Sequence, residues 1–534
     1  MKKTMKQYSF TSQLKSLAVV FGIALTFASC AKEDVAQNPS NKEGDNDKNL
    51  TTFVAGDEAK TRTSLDYNSS DFSWEASDYI YVKDDDGVMR KSTNAPTQKV
   101  ASFKYKVPGK FTEHTSYKVY YLGKNSNGSR VTISTTQTQT KPDNTEHFGT
   151  AGDYGTATAI KVTGKQQFAF ELEHQPAYLV FQPYTSNTIL RDCYLTKVEV
   201  TSDNDIAETY SINTTTGALD ASAGTGSKQI VLTTRGSSNP NGFPLSNSSA
   251  SVSTNGAYMV IKPGTHTLKV RYWVKDIASN VEGTITKTLP ATAYASNTYY
   301  DMTANLNVRD YDGDHYYMWD AQQQYWYGYE WTRHLSGNTG QPTLNNNSSP
   351  NYPQSNSDVS RWYNASYPGY GVSNPATHSS CKDLPNANEM SWYCMYGEPR
   401  WDGDELWTTM GHLYKGGMWF KKKSVLQAEH HYDTEKSADN TTDLRTTYKF
   451  YNNNSSSINS GVPSAADANK YFYLPALGYY RSGQLFNVGY VGYYWSSSAH
   501  PWLSSNAFNL TFRSGYVTVG NDRRLYGIRA EAFQ

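Results

Sequence analysis

The sequence predicts a mainly β protein, with two antiparallel β-sandwich domains followed by a mixed α/β domain that has long loops. Short runs of β-forming residues alternate with turn residues from Leu50 onward, without helical periodicity. The composition then changes at Val308, because ten of the twelve tryptophans and 25 of the 43 tyrosines lie in the last 226 of 534 residues. Polar segments such as 336–360 and 452–461 separate the strand-like runs of this last part.

The N-terminus has the pattern of a secretion signal. Four lysines within the first fifteen residues precede an apolar run, Leu17 to Phe27, that is too short to span a bilayer and suits a signal-peptide core. The run ends in FASC (27–30), which resembles a bacterial lipobox and implies a lipid on Cys30. The following AKED (31–34) resembles the acidic export tag of surface lipoproteins in Bacteroidetes-type bacteria. Ordinary signal cleavage nearby is the alternative.

The net charge argues against nucleic-acid binding, and the mean hydropathy argues against membrane-spanning segments. The chain has 49 basic and 49 acidic residues, and residues 1–29 contain four lysines and no acid, so 45 basic residues remain after their removal and the net charge is −4. Such a chain has no general positive field for nucleic acid. A mean hydropathy of −0.68, without a second long apolar run, argues against membrane-spanning segments.

The predicted elements follow in order along the chain. Residues 1–29 are the signal peptide, and residues 30–49 are polar and free of aromatics, which is typical of a flexible tether. Residues 50–164 and 165–308 are the two predicted sandwiches, and residues 309–534 are the last domain. The clearest strand-like runs are Asp78–Val82, Tyr117–Leu122, Ala177–Phe181, Leu195–Val200 and Leu268–Val274.

One helix is predicted in the last domain. It covers Asn386–Cys394, directly after a Leu-Pro pair. Asn386 is the expected N-cap, and Glu389, three residues on, is the expected partner of a capping box.

Three cysteines remain besides Cys30. Because no CxxC motif occurs, thiol redox chemistry and a cysteine zinc site are not expected. Cys381 and Cys394 either form a disulfide in an oxidising compartment or stay free, and the sequence leaves both alternatives open.

Three patches in the first part resemble the fimbrillin family, the pilus subunits and anchors of Bacteroidetes-type bacteria. This resemblance covers about residues 50–308. The patches are TRTSLD (61–66) with FSWEASD (72–78), FELEHQPAYLVF (170–181), and LTKVEV (195–200) with a later Thr216-Gly217 turn.

Residues 309–534 resemble a different group, the paralogous domain first noted in Fibrobacter-type proteins, which is a relative of C-type-lectin-like folds. The resemblance implies a mixed α/β, lectin-like domain with large irregular loops. The matching segments are DYDGD (310–314), LPNANE (384–389), YLPA (473–476), YYWSSS (493–498) and YGIR (526–529).

The two resemblances together imply a fimbrial (pilus) subunit exported to the outer membrane as a lipoprotein. Subunits of the family polymerise by strand exchange, in which a protease removes an N-terminal strand and a partner's strand fills the groove. Thr51–Ala55 is the expected leaving strand, and cleavage is expected between Arg62 and Thr63. The alternative is that Arg62 is an ordinary polar residue at a strand start.

The position of the last domain predicts a tip subunit that acts as an adhesin. The family's donor strand normally lies at the C-terminus, where this chain carries the lectin-like domain instead. The expected partners are other fimbrial subunits, an extracellular glycan or protein, and the outer membrane through the lipid at Cys30, without nucleic acid. A permanently lipidated anchor or structural subunit without ligand binding is the alternative, and a surface glycan-processing enzyme that uses Asp402, Asp404 and Glu405 is a remote one.

The candidate ligand-binding residues are aromatic rings in loop contexts: Trp362, Tyr363, Trp401, Trp407 and Trp502. No catalytic residue and no cofactor is predicted, apart from possible calcium. The calcium candidates are Asp310, Asp312 and Asp314, because closely spaced carboxylates suit this cation. A turn between strands explains the same segment, since no glutamate stands at the twelfth position of an EF-hand loop.

Overall fold

The structure is a computed structural model that describes residues 7–9, 49–56, 64–65, 67, 72–124, 126, 128–213, 216–277, 280–311, 313–330, 349–364, 375–410 and 412–533. Strands make up 44% and helices 9% of it, which confirms the prediction of a mainly β fold. The chain divides into two compact units: the first unit is 1–185, 194–270 and 289–305, and the second unit is 186–193, 271–288 and 306–534.

Strands follow one another closely through the described part of the chain, and the helices among them are short. Up to residue 305 the strands are β1 (Gln7–Ser9), β2 (Leu50–Ala55), β3 (Ser64–Leu65), β4 (Phe72–Ser73), β5 (Tyr81–Lys83), β6 (Met89–Lys91), β7 (Phe103–Pro108), β8 (Ser116–Tyr121), β9 (Arg130–Thr132), β10 (Thr136–Thr138), β11 (Gly155–Lys161), β12 (Gln167–Phe170), β13 (Glu173–His174), β14 (Ala177–Tyr184), β15 (Cys193–Ser202), β16 (Thr209–Ile212), β17 (Leu219–Ala221), β18 (Gln229–Thr233), β19 (Phe243–Pro244), β20 (Ala257–Ile261), β21 (Gly264–Asp276), β22 (Glu282–Tyr294) and β23 (Thr298–Asn305). The later strands are β24 (Tyr316–Tyr317), β25 (Arg400–Thr409), β26 (His412–Lys421), β27 (Tyr451–Asn454), β28 (Asn459–Ser460), β29 (Tyr471–Pro475), β30 (Tyr479–Arg481), β31 (Gln484–Phe486), β32 (Gly492–Ala499), β33 (Asn506–Arg513), β34 (Tyr516–Arg523) and β35 (Ile528–Arg529). The helices are α1 (Phe148–Ala151), α2 (Val252–Asn255), α3 (Ala387–Tyr396) and α4 (Lys423–Ala428).

The first sheet of the first unit has the strand order β6-β5-β8-β11-β12-β2-β7, with β13 also paired to β11. Alternation sets its inner side: in β7, Tyr105 and Val107 are buried, while Lys104 beside Tyr105 is exposed. Strand β12 lies beyond the seam expected at residue 165, yet it pairs with β11 and β2. This sheet therefore extends past residue 164, and the sandwich boundaries stay a prediction.

The rest of the first unit is also built from strands. One sheet has the order β1-β23-β14-β20, and another runs β10-β18-β15-β21-β22, in which β21 up to residue 270 and β22 from residue 289 belong to the first unit. Strand β14 is buried on both faces along most of its length and pairs with β23 and β20 at its two edges. The strand-like runs predicted at Ala177–Phe181, Leu195–Val200 and Leu268–Val274 fall within β14, β15 and β21.

The second unit contains a sheet with the order β24-β35-β32-β33-β34-β27. Its inner face packs in the same core cluster as α3, and Tyr494, Leu510 and Val519 of three neighbouring strands are fully buried there. Strands β25, β26 and β29 form a second antiparallel set, and β30 and β31 form a hairpin.

Helix α3 confirms the predicted N-cap. The Asn386 side chain accepts a hydrogen bond from the Glu389 backbone N–H at 2.9 Å. The Glu389 carboxylate accepts bonds from the Tyr393 hydroxyl and the Lys423 ammonium, both at 2.9 Å, and so joins α3 to α4 instead of closing a capping box. Among the described residues, no helix is long and apolar enough to cross a membrane.

Candidate functional site

The predicted processing residues lie outside the described part of the chain. These are the lipidation site Cys30 and the cleavage site at Arg62 and Thr63. The structure describes the strands on either side of the cleavage site, namely β2 before it and the β3–β4 pair after it.

Strand β2 is an internal strand of the first sheet. It runs parallel to β12 on one side and antiparallel to β7 on the other. Phe53 and Ala55 point into the core and are fully buried, whereas Val54 between them is only partly buried. The Phe53 ring lies 5.1 Å from Phe111 and 5.2 Å from Phe168, measured between centroids. Removal of β2 would therefore open a slot lined by aromatic rings.

Tyr67 fixes the chain on the far side of the predicted cleavage site. Its hydroxyl donates to Asp301 at 2.8 Å and accepts from the Gln182 amide at 3.1 Å. Burial and the hydrogen bond to Asp301 raise the pKa of Tyr67, so the hydroxyl keeps its proton as a donor. These partners belong to β23 and β14, so this anchor does not depend on β2.

The five candidate ligand-binding rings do not form one site. The expectation for Trp407 is wrong: this side chain is 1% exposed, donates from Nε1 to the Gly416 carbonyl at 3.0 Å and stacks on Tyr414. Trp362, Tyr363 and Trp401 are partly buried against the core of the second unit. Composition predicts loops at these positions, but packing against the core covers part of the surface of each ring.

Trp502 is the one candidate ring that is largely open to solvent, at 58% exposure, and Leu503 beside it is 48% exposed. The buried His500 ring holds this corner, because its Nδ1 accepts the backbone N–H groups of both residues at 3.0 Å. Burial, followed by the charge of Arg524, lowers the pKa of His500, so Nδ1 stays a neutral acceptor. The Tyr448 ring lies 6.0 Å from Trp502. This aromatic corner is an exposed apolar surface whose backbone is hydrogen-bonded to His500.

The structure describes only part of the predicted calcium site. Asp312 lies outside the described residues. The Asp310 carboxylate accepts the Thr408 hydroxyl at 3.0 Å, and the two residues also form a backbone bridge. Within the described part of the chain, the acidic and histidine side chains that lie close enough for an ion are Asp85, Glu113 and His114 of the first unit. There Asp85 already accepts bonds from neighbouring groups, including the backbone N–H of Glu113 at 3.1 Å.

Cys381 and Cys394 do not form a disulfide. Both are buried free thiols in separate clusters of the second unit. The Cys394 thiol donates to the Val517 carbonyl at 3.3 Å, and Cys381 Sγ accepts the Asp320 N–H at 3.3 Å. Burial raises the pKa of each thiol to about 12, so both stay protonated and unreactive.

The carboxylates of the remote enzyme alternative are engaged by the protein itself. Asp402 is buried and accepts bonds from Arg271 at 3.0 Å and from Trp419 Nε1 at 3.2 Å. The pairing of β25 has a bulge between Asp402 and Leu406, and Glu405 lies within this bulge. The two carboxylate oxygens of Glu405 accept hydrogen bonds from the backbone N–H and the hydroxyl of Thr286. The arrangement ties a β-bulge to residues 271–288.

The second face of this sheet, opposite Tyr494, Leu510 and Val519, is also packed. Strand register places Tyr493, Asn509 and Asp522 on this face of β32, β33 and β34. It carries a second core cluster, against which Tyr479, Tyr493 and Tyr526 pack, and Asn509 is only 2% exposed. The Tyr479 ring of β30 lies 4.6 Å from Tyr493 and 5.5 Å from Tyr526.

Comparisons with known proteins found structural similarity without a sequence family. No family model matches the chain, and no curated protein matches its sequence. A candidate cell adhesion protein from Bacteroides ovatus is 13% identical, with a TM-score of 0.30, over 48% of this chain and 93% of the other. The fimbrial anchor protein Mfa2 from Porphyromonas gingivalis is 14% identical, with a TM-score of 0.21, over 45% and 82%. A fimbrial protein from Bacteroides ovatus is 12% identical, with a TM-score of 0.22, over 90% and 97%. At these TM-scores the similarities carry no argument about this chain.

We expect the Glu405 carboxyl group to make the stability of the protein depend on pH. Burial, followed by the charge of Asp402, raises the pKa of Glu405 from 4.5 to about 7. The folded protein thus holds a proton that the unfolded chain releases, so this residue lowers the free energy of unfolding as pH rises from 4.5 to 7. Glu405→Gln removes this titration. We therefore expect the free energy of unfolding of the variant, relative to that of the wild type, to be higher at pH 8 than at pH 5, as measured by urea unfolding.

The neighbouring Asp404→Asn is the matched control for this experiment. Asp404 lies beside Lys415, and its side chain is 40% exposed. The control should keep the pH dependence of the wild type. An unchanged pH dependence in Glu405→Gln would contradict the assignment.

Proposed function

We propose that the chain is the precursor of a cell-surface fimbrial subunit, exported as a lipoprotein, assembled by strand exchange and able to bind a glycan or protein ligand through its second unit. The observation that carries this proposal is the place of β2. An internal strand with a buried aromatic side chain lies seven residues ahead of the predicted cleavage site, since Ala55 ends β2 and Arg62 follows. The lipobox-like segment at Cys30 and the fimbrillin-like patches point the same way.

Physical chemistry favours replacement of β2 over permanent loss. Without β2, the backbone groups of β12 and β7 lose their partners and the rings around Phe53 become exposed. An incoming strand would restore the backbone hydrogen bonds. A large apolar side chain on that strand, with a small side chain two positions later, would cover the exposed rings as Phe53 and Ala55 do. The Tyr67 anchor would keep the new N-terminus in place, because it bonds to other strands.

The tip position is part of this proposal. Strand β35 pairs with β24 and β32, and Ile528 and Arg529 are buried. This segment is held inside its own sheet and is therefore not a free donor strand.

The aromatic corner at Trp502 is the first candidate contact for a ligand. Exposed tryptophan with a rigid support is typical of binding surfaces, because the large ring gains contact area at little cost in conformational entropy. A domain of this kind at a fimbrial tip would act as an adhesin.

Processing at Arg62 is the first test. We expect N-terminal sequencing of the assembled protein from its native surface to start at Thr63, and Arg62→Ala to leave the longer chain in place. Lys60→Ala, which changes a nearby basic residue, should be processed like the wild type. A mature protein that keeps a lipidated Cys30 would instead support a permanent anchor.

The slot left by β2 should discriminate between side chains. After cleavage of the full chain, a synthetic peptide of residues 50–56 should bind the slot, and replacing Phe53 by Asp in the peptide should abolish binding, because this side chain faces the core. Replacing the outward Val54 by Asp is the matched control and should have a small effect. Equal binding of both peptides, measured by fluorescence anisotropy, would contradict the slot.

Ligand binding is tested on the full chain with a glycan array and immobilised host matrix proteins, with and without chelator. We expect binding that Trp502→Ala weakens about tenfold, as loss of an aromatic anchor does. Tyr327→Ala, at another half-exposed ring of this unit, is the control. Absence of any binding would exclude the adhesin proposal, and loss of binding with chelator would support calcium.

A further inference from the structure

Strand β20 is an edge strand whose own sequence does not protect it from other strands. Its residues, AYMVI (257–261), include neither a charged residue nor proline, and all five are buried. Edge strands present backbone groups that can pair with another chain, and lysine, proline or a bulge commonly shields them. The protection of this edge therefore has to come from outside β20.

Two glutamine side chains occupy the backbone groups on the edge of β20, one from β10 and one directly after it. The Gln137 amide accepts the Val260 N–H at 3.0 Å and donates to the Val260 carbonyl at 2.7 Å. The Gln139 amide accepts the Tyr258 N–H at 2.7 Å and donates to the Gly256 carbonyl at 2.9 Å. Each amide thus supplies both the donor and the acceptor that a neighbouring strand would supply.

Other groups along the same edge are also bonded. The Tyr258 carbonyl lies 2.9 Å from His147 Nε2, and the Lys262 N–H donates to the Ile206 carbonyl at 2.7 Å. Because backbone groups alternate in direction along a strand, the remaining residues of β20 direct theirs to β14. Both sides of β20 are therefore occupied within the same chain.

The position of β10 directs the glutamines to this edge. The main chain of β10 pairs with β18, which belongs to a different sheet. Alternation buries Gln137 and Gln139, at 3% and 1% exposure, and leaves Thr136 and Thr138 exposed. The Gln139 amide also donates to the Lys141 carbonyl at 2.8 Å, which fixes its orientation. The two amides bond to β20 while their main chain serves another sheet.

We propose that Gln137 and Gln139 determine the specificity of strand addition in this protein, because they close the β20 edge to an incoming strand. Without the two amides, the occupant of this edge is the β20 edge of a second copy of the chain, since an apolar, uncharged strand can pair with itself in the antiparallel direction. This inference rests on the proposed strand exchange and adds that the incoming strand is excluded from β20.

Amide hydrogen exchange on the full, uncleaved chain tests the closure residue by residue. Gln137→Ala should speed exchange of the Val260 N–H about tenfold and leave Tyr258 unchanged, and Gln139→Ala should do the reverse, because each amide protects one N–H. The variant Thr136→Ala/Thr138→Ala is the matched control from the exposed side of β10 and should keep wild-type rates. Unchanged exchange, or equal acceleration of both N–H groups in each single variant, would overturn the closure.

Sedimentation velocity of the same chains tests the exclusion of a second strand. We expect the wild type and the threonine variant to sediment as monomers, and Gln137→Ala/Gln139→Ala to form a dimer at the same concentration. A folded double variant that stays monomeric would overturn the role in specificity. If the double variant does not fold, the single variants decide, because each should dimerise in part and two monomeric single variants would contradict the proposal.

The slot peptide of residues 50–56, tested on the cleaved chain, separates this inference from the proposed strand exchange. Dimerisation of the double variant together with peptide binding supports both. Peptide binding without dimerisation overturns the role of the glutamines and preserves strand exchange. Dimerisation of the double variant without peptide binding to the wild type overturns strand exchange at β2 and leaves the closed edge as a barrier to self-association.

Discussion

Hydrogen bonds from the polar tips of buried tryptophan and tyrosine side chains to backbone carbonyls join separate segments of the second unit. Trp319 donates to the Ser496 carbonyl at 2.9 Å, and Trp495 donates to the Tyr317 carbonyl at 2.8 Å. The Tyr494 hydroxyl donates to the Pro475 carbonyl at 2.7 Å. A buried donor without a partner costs about 1–3 kcal/mol, so these bonds stabilise the contacts of β32 with the turn at Trp319, with β24 and with β29. The rings that remain open are the exceptions on which ligand binding is proposed.

In the first unit, a buried carboxylate is the acceptor for the polar atoms of buried rings. Asp153 accepts bonds from the His174 ring at 3.0 Å and the Tyr178 hydroxyl at 2.6 Å. These residues link the start of β11 with β13 and β14, and none of them belongs to β2. A sheet whose buried polar network avoids one strand can exchange that strand without losing the network. The proposed assembly mechanism depends on this separation.

Loop composition alone does not tell which of the predicted rings is exposed. Trp407 and Trp502 are both predicted as loop aromatics, yet Trp407 is buried in β25 and Trp502 lies on an exposed corner. The two rings differ in their hydrogen-bonded surroundings: the Gly416 carbonyl accepts the Trp407 indole N–H, whereas the His500 ring accepts the backbone N–H of Trp502. The same holds for Cys381 and Cys394, whose separation depends on the packing of two clusters.

The sequence by itself determined the features that depend on only a few consecutive residues. These are the mainly β class, the strand runs at Ala177–Phe181, Leu195–Val200 and Leu268–Val274, and the Asn386 cap. Tertiary structure alone decided that β12 joins the first sheet, that Glu405 accepts a hydrogen bond from Thr286, and that Asn509 donates to Asp522. The physical reason is range: alternation and capping act over two to four residues, whereas a shared face needs a fixed register between strands far apart in the chain.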